Sequence, residues 1–383
     1  MSQALLPTGC YDLLPPYARQ ETQLSSQLLD VFESYGYEQV SPPLLEFSDN
    51  LLAGRGASLS DQIFRVMDPA ALKVMGIRPD MTLQIARIAS SRLADAPRPL
   101  RLCYHGLIMR MKAQALSSYR QLRQVGIELI GVSHPQADAE VVMVAAHALR
   151  RIGIVDLSID ISLPPLVTQL LNDTPLSEET REQLLKAVQQ KDTAAVASYP
   201  FDQRDLLIAL MKVSGPARNA LASLARIKLP ASIEGKVAEL VTVVDAVLAE
   251  APDHWNITLD ITETTAMNYH TGPCFSFFLP GSSVEIGRGG RYTIQSAAGN
   301  ESATGFTLYL ETVMASIPAP APAKKILLSP STPRADLERL QQEGYITIQG
   351  VHLAIPLQEQ AQALGCMALF SDGILQPVTG KKS

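Results

Sequence analysis

The chain has 383 residues, of which 46% are hydrophobic and 18% are charged, and its formal net charge is −6. This composition indicates a globular protein of two or three domains, and the acidic balance argues against a broad surface for nucleic acid. We find no run apolar enough to span a membrane and no segment typical of a signal peptide. Four scattered cysteines without metal-ligand spacing favour a reduced, cytoplasmic protein.

The first elements in chain order are a helix and an interrupted strand. Apolar residues recur at helical spacing over 17–35, and Gly36 follows as a helix-ending glycine. A strand is predicted over 37–47, where Pro42 and Pro43 point to a sheet edge or a bulge.

Two further strands are predicted to form an antiparallel hairpin. Residues 100–111 alternate so that Tyr104 and Arg110 share one face, and a loop then leads into a strand over 119–131. A short connection of this kind favours antiparallel pairing. The two strands can therefore line one surface.

The strand over 119–131 has an apolar face and a polar face. The apolar residues are Val125, Ile127 and Leu129, and they alternate with Gln124, Gly126 and Glu128. One interpretation is a half-exposed strand whose polar side faces water. The other is the floor of a polar pocket, in which Gly126 lets a ligand approach the backbone.

The second half of the chain predicts helices, strands and an appended domain. A helix over 136–152 precedes a helical insertion over about 164–252, in which Ser177 is a plausible N-cap. Strands are predicted in "NITLDIT" and "CFSFFLP", and "GRGGRY" predicts a glycine-rich turn. Residues 319–324 form a stiff Pro-Ala linker before a small domain over 325–383.

Six segments in order resemble a known family. They are "PTGCYDLLP", "FESYGYEQVSPPLLEF", "IRPDMT", "CYHGLIMRM" with "SSYRQLRQVGIELIG", "AMNYHTGPCF", and "GRGGRY" with "TGFTLYLETV". From about residue 5 to 315 the chain resembles the catalytic core of histidyl-tRNA synthetase, a class II synthetase. The resemblance implies an α+β fold, with an antiparallel sheet flanked by helices over 1–318 and a small C-terminal α/β domain.

The chain departs from that family at positions used in amino-acid activation. Thr265 and Thr312 stand where the family has arginines that assist the chemistry and grip ATP. Lys112, Arg123 and His270 replace a glutamate, a histidine and a tyrosine of the family pattern. Because losing one donor to a growing charge costs roughly a hundred- to a thousand-fold in rate, we expect that adenylation is lost.

The amino-acid side of the pocket is better preserved than the ATP side. The resemblance implies a histidine-binding site made of Asp80, Met81, Thr82, Arg110, Gln124, Glu128, Tyr269 and His270. Asp80 and Glu128 suit an ammonium or a ring N–H, and Arg110 suits a carboxylate. We therefore expect the polar strand face to bind histidine without activating it.

Several of these residues also have a structural interpretation. Asp80 and Thr82 are favoured capping residues for a helix that begins near Leu83. Arg110 can be held by an ion pair with Glu128.

Four residues near the other predicted strands carry similar alternatives. Tyr269 can belong to the core, and His270 is expected to be a packed aromatic replacement, because no second ligand stands at metal spacing. Arg288 and Arg291 can face a solvated turn.

A family that fits this pattern is the regulatory subunit of ATP phosphoribosyltransferase, which is synthetase-like but does not aminoacylate. That resemblance implies a short catalytic subunit as partner in a hetero-octamer, histidine as the effector, and a homodimer formed through segment 32–46. We expect no cofactor, no metal, no tRNA and no membrane partner. A divergent histidyl-tRNA synthetase, or a synthetase paralogue that modifies another substrate, remains as an alternative.

Overall fold

The structure, a computed structural model, describes residues 5–52, 59–112, 119–264, 269–296, 299–351 and 354–378. The chain divides into two compact units, Met1–Pro318 and Ala319–Ser383. Within the described residues, no helix combines the length and the apolar character needed to cross a membrane.

The first unit contains helices along its whole length, interspersed with the strands. They are α1 (Tyr17–Ser34), α2 (Ser48–Leu51), α3 (Thr82–Ser91), α4 (Pro135–Arg151), α5 (Pro165–Asn172), α6 (Glu178–Gln189), α7 (Thr193–Ala197), α8 (Arg204–Met211), α9 (Ala217–Leu224), α10 (Ala231–Glu250) and α11 (Leu310–Ala315). Helix α1 ends as predicted, because Gly36 takes φ +80° and the N–H groups of Gly36 and Tyr37 satisfy the last carbonyls. Ser177 caps α6 by accepting from the Thr180 N–H.

A large central sheet organises the first unit. Over the described residues its nine strands are β1 (Glu38–Gln39), β5 (Leu100–Met109), β6 (Gln121–Ile130), β12 (Gly299–Tyr309), β11 (Glu285–Ser296), β10 (His270–Phe278), β7 (Ser158–Ser162), β9 (Asn256–Asp260) and β8 (Ser214–Pro216), in that spatial order. Neighbours pair antiparallel except for β1 with β5 and β7 with β9. The predicted hairpin is confirmed, since β5 and β6 are antiparallel partners.

A smaller antiparallel sheet lies in the same unit, and another sheet forms the second unit. In the described chain the smaller sheet has the order β2 (Leu45–Phe47), β4 (Lys73–Ile77), β3 (Phe64–Asp68). The second unit contains β14 (Ile346–Gln349), β13 (Lys325–Leu328), β15 (Ala368–Ser371) and β16 (Ile374–Pro377), with helices α12 (Arg334–Gln342) and α13 (Leu357–Ala363).

Two sequence expectations need correction at the level of elements. The single strand predicted over 37–47 is two strands in different sheets, since β1 pairs with β5 and β2 pairs with β4. Pro42 and Pro43 separate them, because proline has no N–H for a ladder. The insertion over 164–252 is not purely helical, since β8 joins the central sheet beside β9.

The central sheet has an apolar core on each face. One core packs Val125, Ile127 and Leu129 of β6 with residues of α1, α4 and the helical insertion. The other core lies on the α3 face and includes Met81 and Ile85. The polar side of β6 therefore faces the α3 side of the sheet.

Candidate functional site

The polar face of β6 is buried. Gln124 is 0% exposed and Glu128 is 1% exposed, although neither belongs to an apolar core. The interpretation of a half-exposed strand with its polar side in water is therefore wrong. The neighbouring strands and α3 cover this face, and burial of two polar side chains requires partners for them.

Gly126 does not serve ligand approach as predicted. A side chain there would meet the Phe306 carbonyl and would lie 2.7 Å from the Tyr104 hydroxyl. Gly305, opposite Glu128 across the β6–β12 ladder, is the residue whose missing side chain leaves room for the Glu128 carboxyl. The glycines are thus needed for packing between strands and for the buried carboxyl group.

An open cleft with about 320 Å³ of empty volume lies on this face. The lining residues are Asp80, Thr82, Glu128, Tyr269, His270, Arg288, Gly289, Gly290, Tyr292, Gly305, Phe306, Thr307 and Tyr309. Five of the eight predicted site residues line the cleft, whereas Met81, Arg110 and Gln124 do not.

Gln124 and Met81 support the start of α3 from outside the cleft. The Gln124 amide donates to Asp80 Oδ2 at 2.7 Å and accepts from the Met81 N–H at 2.9 Å. Asp80 Oδ1 accepts from the Thr82 N–H at 2.9 Å, next to the start of α3, but the N-cap of that helix is Met81 rather than Asp80 or Thr82. The Met81 side chain is 0% exposed in the apolar core. These contacts fix the position of Asp80 at the edge of the cleft.

Glu128 is held by hydroxyl groups rather than by a cation. Its Oε2 accepts from the Tyr292 hydroxyl at 3.0 Å, and the Thr82 side chain also hydrogen-bonds it. Burial raises the pKa of Glu128 to about 8, although these two hydrogen bonds act to lower it. Near neutral pH, the carboxyl group is therefore mostly protonated.

Arg110 does not pair with Glu128, so that structural alternative is wrong. Its guanidinium lies 3.7 Å from Asp80 and donates to the Pro79 carbonyl at 3.1 Å and to the Tyr309 hydroxyl at 3.3 Å. The Tyr309 ring lies 5.5 Å from the guanidinium carbon. Arg110 thus braces Asp80 and Tyr309, both of which line the cleft.

The segment "GRGGRY" is part of strand β11 rather than a turn, and its arginines do not face a solvated turn. Arg288 lines the cleft. Arg291 points to the opposite face, where it pairs with Asp138 and Glu239. Side chains at Gly287 and Gly289 would collide with β12, so these glycines reflect close strand packing.

Aromatic rings form one side of the cleft. Tyr269 stacks on His270 with ring centroids 4.4 Å apart and meets Tyr292 edge-on at 6.0 Å. The His270 ring occupies the space that a side chain at Gly290 would need. His270 is therefore a packed aromatic residue, as expected, and Tyr269 both packs against the core and lines the cleft.

The structure describes one of the two threonines that are expected to stand at arginine positions of the synthetase family. Thr265 lies outside the described residues. Thr312 is in α11, where its hydroxyl donates to the Tyr309 carbonyl at 2.9 Å. The preceding Glu311 accepts from the Arg123 backbone N–H and from the Tyr11 hydroxyl. In the part of the chain that is described, no group of three or more His, Cys, Asp or Glu side chains can hold a metal ion.

The sequence reasoning missed Arg288, Tyr292, Thr307 and Tyr309 as cleft residues. A signal was present, because Arg288, Gly290 and Tyr292 alternate along β11 and so share a face. The turn interpretation of "GRGGRY" concealed that alternation. Tyr292 matters most among them, since it donates directly to Glu128.

Comparison of the sequence with protein families gives a match to histidyl-tRNA synthetase over residues 9–313. The chain is 44% identical over 377 residues to an ATP phosphoribosyltransferase regulatory subunit of Rhodospirillum centenum, covering 98% of this chain and 97% of the relative. It is 41% identical over 376 residues to the same subunit of Paramagnetospirillum magneticum, with 98% of each chain covered.

Solved structures agree on the fold. The chain superposes with a TM-score of 0.81 on an ATP phosphoribosyltransferase regulatory subunit/histidyl-tRNA synthetase from Bacillus halodurans, at 22% identity and covering 94% of this chain and 96% of that one. A histidyl-tRNA synthetase from Nostoc gives a TM-score of 0.77 at 20% identity, with 96% and 91% covered. The expected class II synthetase-like fold is thereby confirmed, and the chain belongs to the family of ATP phosphoribosyltransferase regulatory subunits.

Proposed function

We propose that this chain is the non-catalytic subunit that a short ATP phosphoribosyltransferase chain needs for activity in the first step of histidine biosynthesis. The relatives at 44% and 41% identity carry the name of that regulatory subunit, which supports the proposal. The two chains would assemble as a cytoplasmic hetero-octamer, built on homodimers of this chain. No tRNA takes part.

We further propose that the cleft binds histidine as a feedback effector. The observation that carries this proposal is the pair of carboxyl groups, Asp80 and Glu128, at the edge and floor of one small cleft. Thr82 and Tyr292 hydrogen-bond Glu128, and Tyr269 and His270 provide an aromatic wall. This set suits a small ligand with an ammonium group and an aromatic N–H.

The test is an activity assay of the reconstituted complex. We expect a short catalytic chain to gain activity when this full-length chain is added, and to lose that gain as histidine is raised. Glu128→Gln should shift the inhibition curve about ten-fold or more to higher histidine, because an ionised partner for the ligand typically contributes about 1.5–3 kcal/mol. Glu182→Gln, on the exposed side of α6, is the matched control.

Two results would contradict this proposal. If the catalytic chain is equally active with and without this chain, then this chain is not the subunit that it needs for activity. An unchanged inhibition curve for Glu128→Gln would place the sensor elsewhere.

A divergent histidyl-tRNA synthetase is the second candidate, favoured by the match over residues 9–313. It needs cations for ATP where this sequence has Thr265 and Thr312. Histidine-dependent pyrophosphate exchange with ATP distinguishes the two functions, and exchange above a blank without protein would favour the synthetase.

A further inference from the structure

Arg288 brings a positive charge to the wall of the cleft, and none of the ligand contacts named above uses it. The ladders of the central sheet place Arg288 opposite Thr307 on one side and opposite Ser276 on the other. Glu128, Gly305 and Gly290 form the adjacent row across the same three strands, β6, β12 and β11. Arg288 is two residues from Gly290, so its side chain is on the same face as Glu128.

The guanidinium of Arg288 is held by one carboxylate. Its Nε donates to Glu285 Oε1 at 2.5 Å and its Nη2 donates to Glu285 Oε2 at 2.7 Å. The Ser276 hydroxyl donates to Glu285 at 3.2 Å and so steadies that carboxylate. Two donors on one side of the guanidinium are thus used, and its orientation is fixed.

The remaining edge of the guanidinium is available. Among the described residues, no hydrogen-bond acceptor is found for Nη1 of Arg288, and the side chain is 28% exposed. An arginine fixed on one edge and open on the other is suited to bind a carboxylate.

The spacing matches a small ligand with charges at both ends. Arg288 lies two strands away from Glu128 and two residues further along the sheet. With ideal sheet spacing, this offset places their Cα atoms roughly 12 Å apart. Both residues line the cleft, with the Glu128 carboxyl at one end of this diagonal and the Arg288 guanidinium, paired with Glu285, at the other.

We propose that Arg288 binds the α-carboxylate of the amino-acid ligand and makes the cleft selective for amino acids over the corresponding amines. This inference rests on the proposed function, that is, on histidine binding in the cleft. It also replaces the sequence-based expectation that the carboxylate lies near Arg110. Both arginines have a carboxylate partner, but Arg288 lines the cleft and Arg110 does not.

The experiment is calorimetric titration of the full-length chain with L-histidine and with histamine, which keeps the ring and the amine but lacks the carboxylate. We expect the parent to bind histidine at least ten-fold more tightly than histamine, as losing a charged hydrogen bond implies. Arg288→Gln should lose at least ten-fold in histidine affinity while its histamine affinity stays within about two-fold of the parent. Arg334→Gln, at a 90% exposed arginine, is the control and should leave both affinities unchanged.

The possible outcomes separate this inference from the proposed function. A parent chain that binds neither compound overturns the histidine site and the inference with it. A parent that binds histidine, with an Arg288→Gln variant that keeps the preference over histamine, overturns the inference alone. Equal losses for both ligands would make Arg288 a structural residue. If Arg288→Gln does not fold, the titrations of the parent still test the inference. Equal affinity of the parent for histidine and histamine would exclude a contact to the carboxylate.

Discussion

Glu128 is a fully buried carboxyl group whose charge depends on the protein around it. Tyr292 and Thr82 hydrogen-bond it, but no described cation pairs with it. Burial therefore dominates and raises its pKa to about 8. A cationic ligand in the cleft would favour the ionised form, so binding and proton release would be coupled at this residue.

We expect Glu128 to make the stability of the ligand-free chain fall with pH. Between its ordinary pKa of 4.5 and about 8, the folded state holds a proton that the unfolded state has lost. The stability that the protonated group contributes is complete below about pH 4.5, declines as pH rises, and is gone above about pH 8, by at most about 1.4 kcal/mol per pH unit. Urea unfolding of the parent and of Glu128→Gln from about pH 5 to about pH 8.5 measures this difference.

The variant should become more stable relative to the parent as pH rises, because glutamine does not ionise. Glu182→Gln removes an exposed carboxylate and should follow the parent across the whole range. A difference between Glu128→Gln and the parent that stays constant with pH would show that Glu128 is ionised in the folded chain.

Strand β11 connects the cleft to the helices on the opposite face of the sheet. Arg288 and Tyr292 face the cleft, whereas Arg291 is only 6% exposed and points the other way. Arg291 Nε lies 3.1 Å from Asp138 Oδ2, and its Nη1 lies 2.5 Å from Glu239. Because Asp138 is in α4 and Glu239 is in α10, one arginine ties the helical insertion to the strand that carries cleft residues.

We expect Asp138→Asn to destabilise the chain strongly. Asp138 is 0% exposed and also accepts from the Thr304 hydroxyl at 2.5 Å. Removing one partner of a buried ion pair typically costs about 3–5 kcal/mol, and we expect about 3 kcal/mol because Glu239 still neutralises Arg291. Urea unfolding gives the change in free energy.

Glu178→Gln removes the partner of an exposed pair with Arg181 and serves as the comparison. It should change the unfolding free energy by less than about 1 kcal/mol. A similar small effect for Asp138→Asn would mean that the buried cluster does not hold α4, α10 and β11 together.

At the scale of the whole molecule, the smaller sheet leaves an apolar surface open. Leu45, Phe47 and Val66 are 41%, 38% and 46% exposed, and their positions in the ladders place them on one face. Leu45 also belongs to segment 32–46, which is expected to form a homodimer. Large exposed apolar patches are typical of protein interaction sites.

We expect the full-length chain to be a dimer at micromolar concentration, with twice the mass of one chain in light scattering. Leu45→Glu should weaken the dimer at least ten-fold, because it would bury an unpaired charge at the interface. Leu364→Glu, at a 45% exposed residue of the second unit, is the control and should remain dimeric. A parent that is monomeric throughout, or a Leu45→Glu variant as dimeric as the parent, would contradict this placement.

The sequence by itself determined the elements whose signals are local. The apolar period of α1, the glycine that ends it, the Ser177 cap and the alternation of β5 and β6 all depend on neighbours in the chain. The ordered motifs then indicated the family and the class II fold. The resemblance to the family also predicted residues of one ligand site. The structure brings five of them together in the cleft, namely Asp80, Thr82, Glu128, Tyr269 and His270.

Only the tertiary structure decided which side chains satisfy one another. Pairing of β12 and β11 beside β6 joins residues more than 150 positions apart, so the Tyr292 hydroxyl on Glu128 and the Arg288 charge in the cleft have no local signal. The same strand pairing explains the glycines of β6 and β11. From the sequence, Gly126 was expected to let a ligand approach the backbone, and "GRGGRY" was expected to form a turn. These glycines are required because neighbouring strands and a buried carboxyl group occupy the space of their side chains.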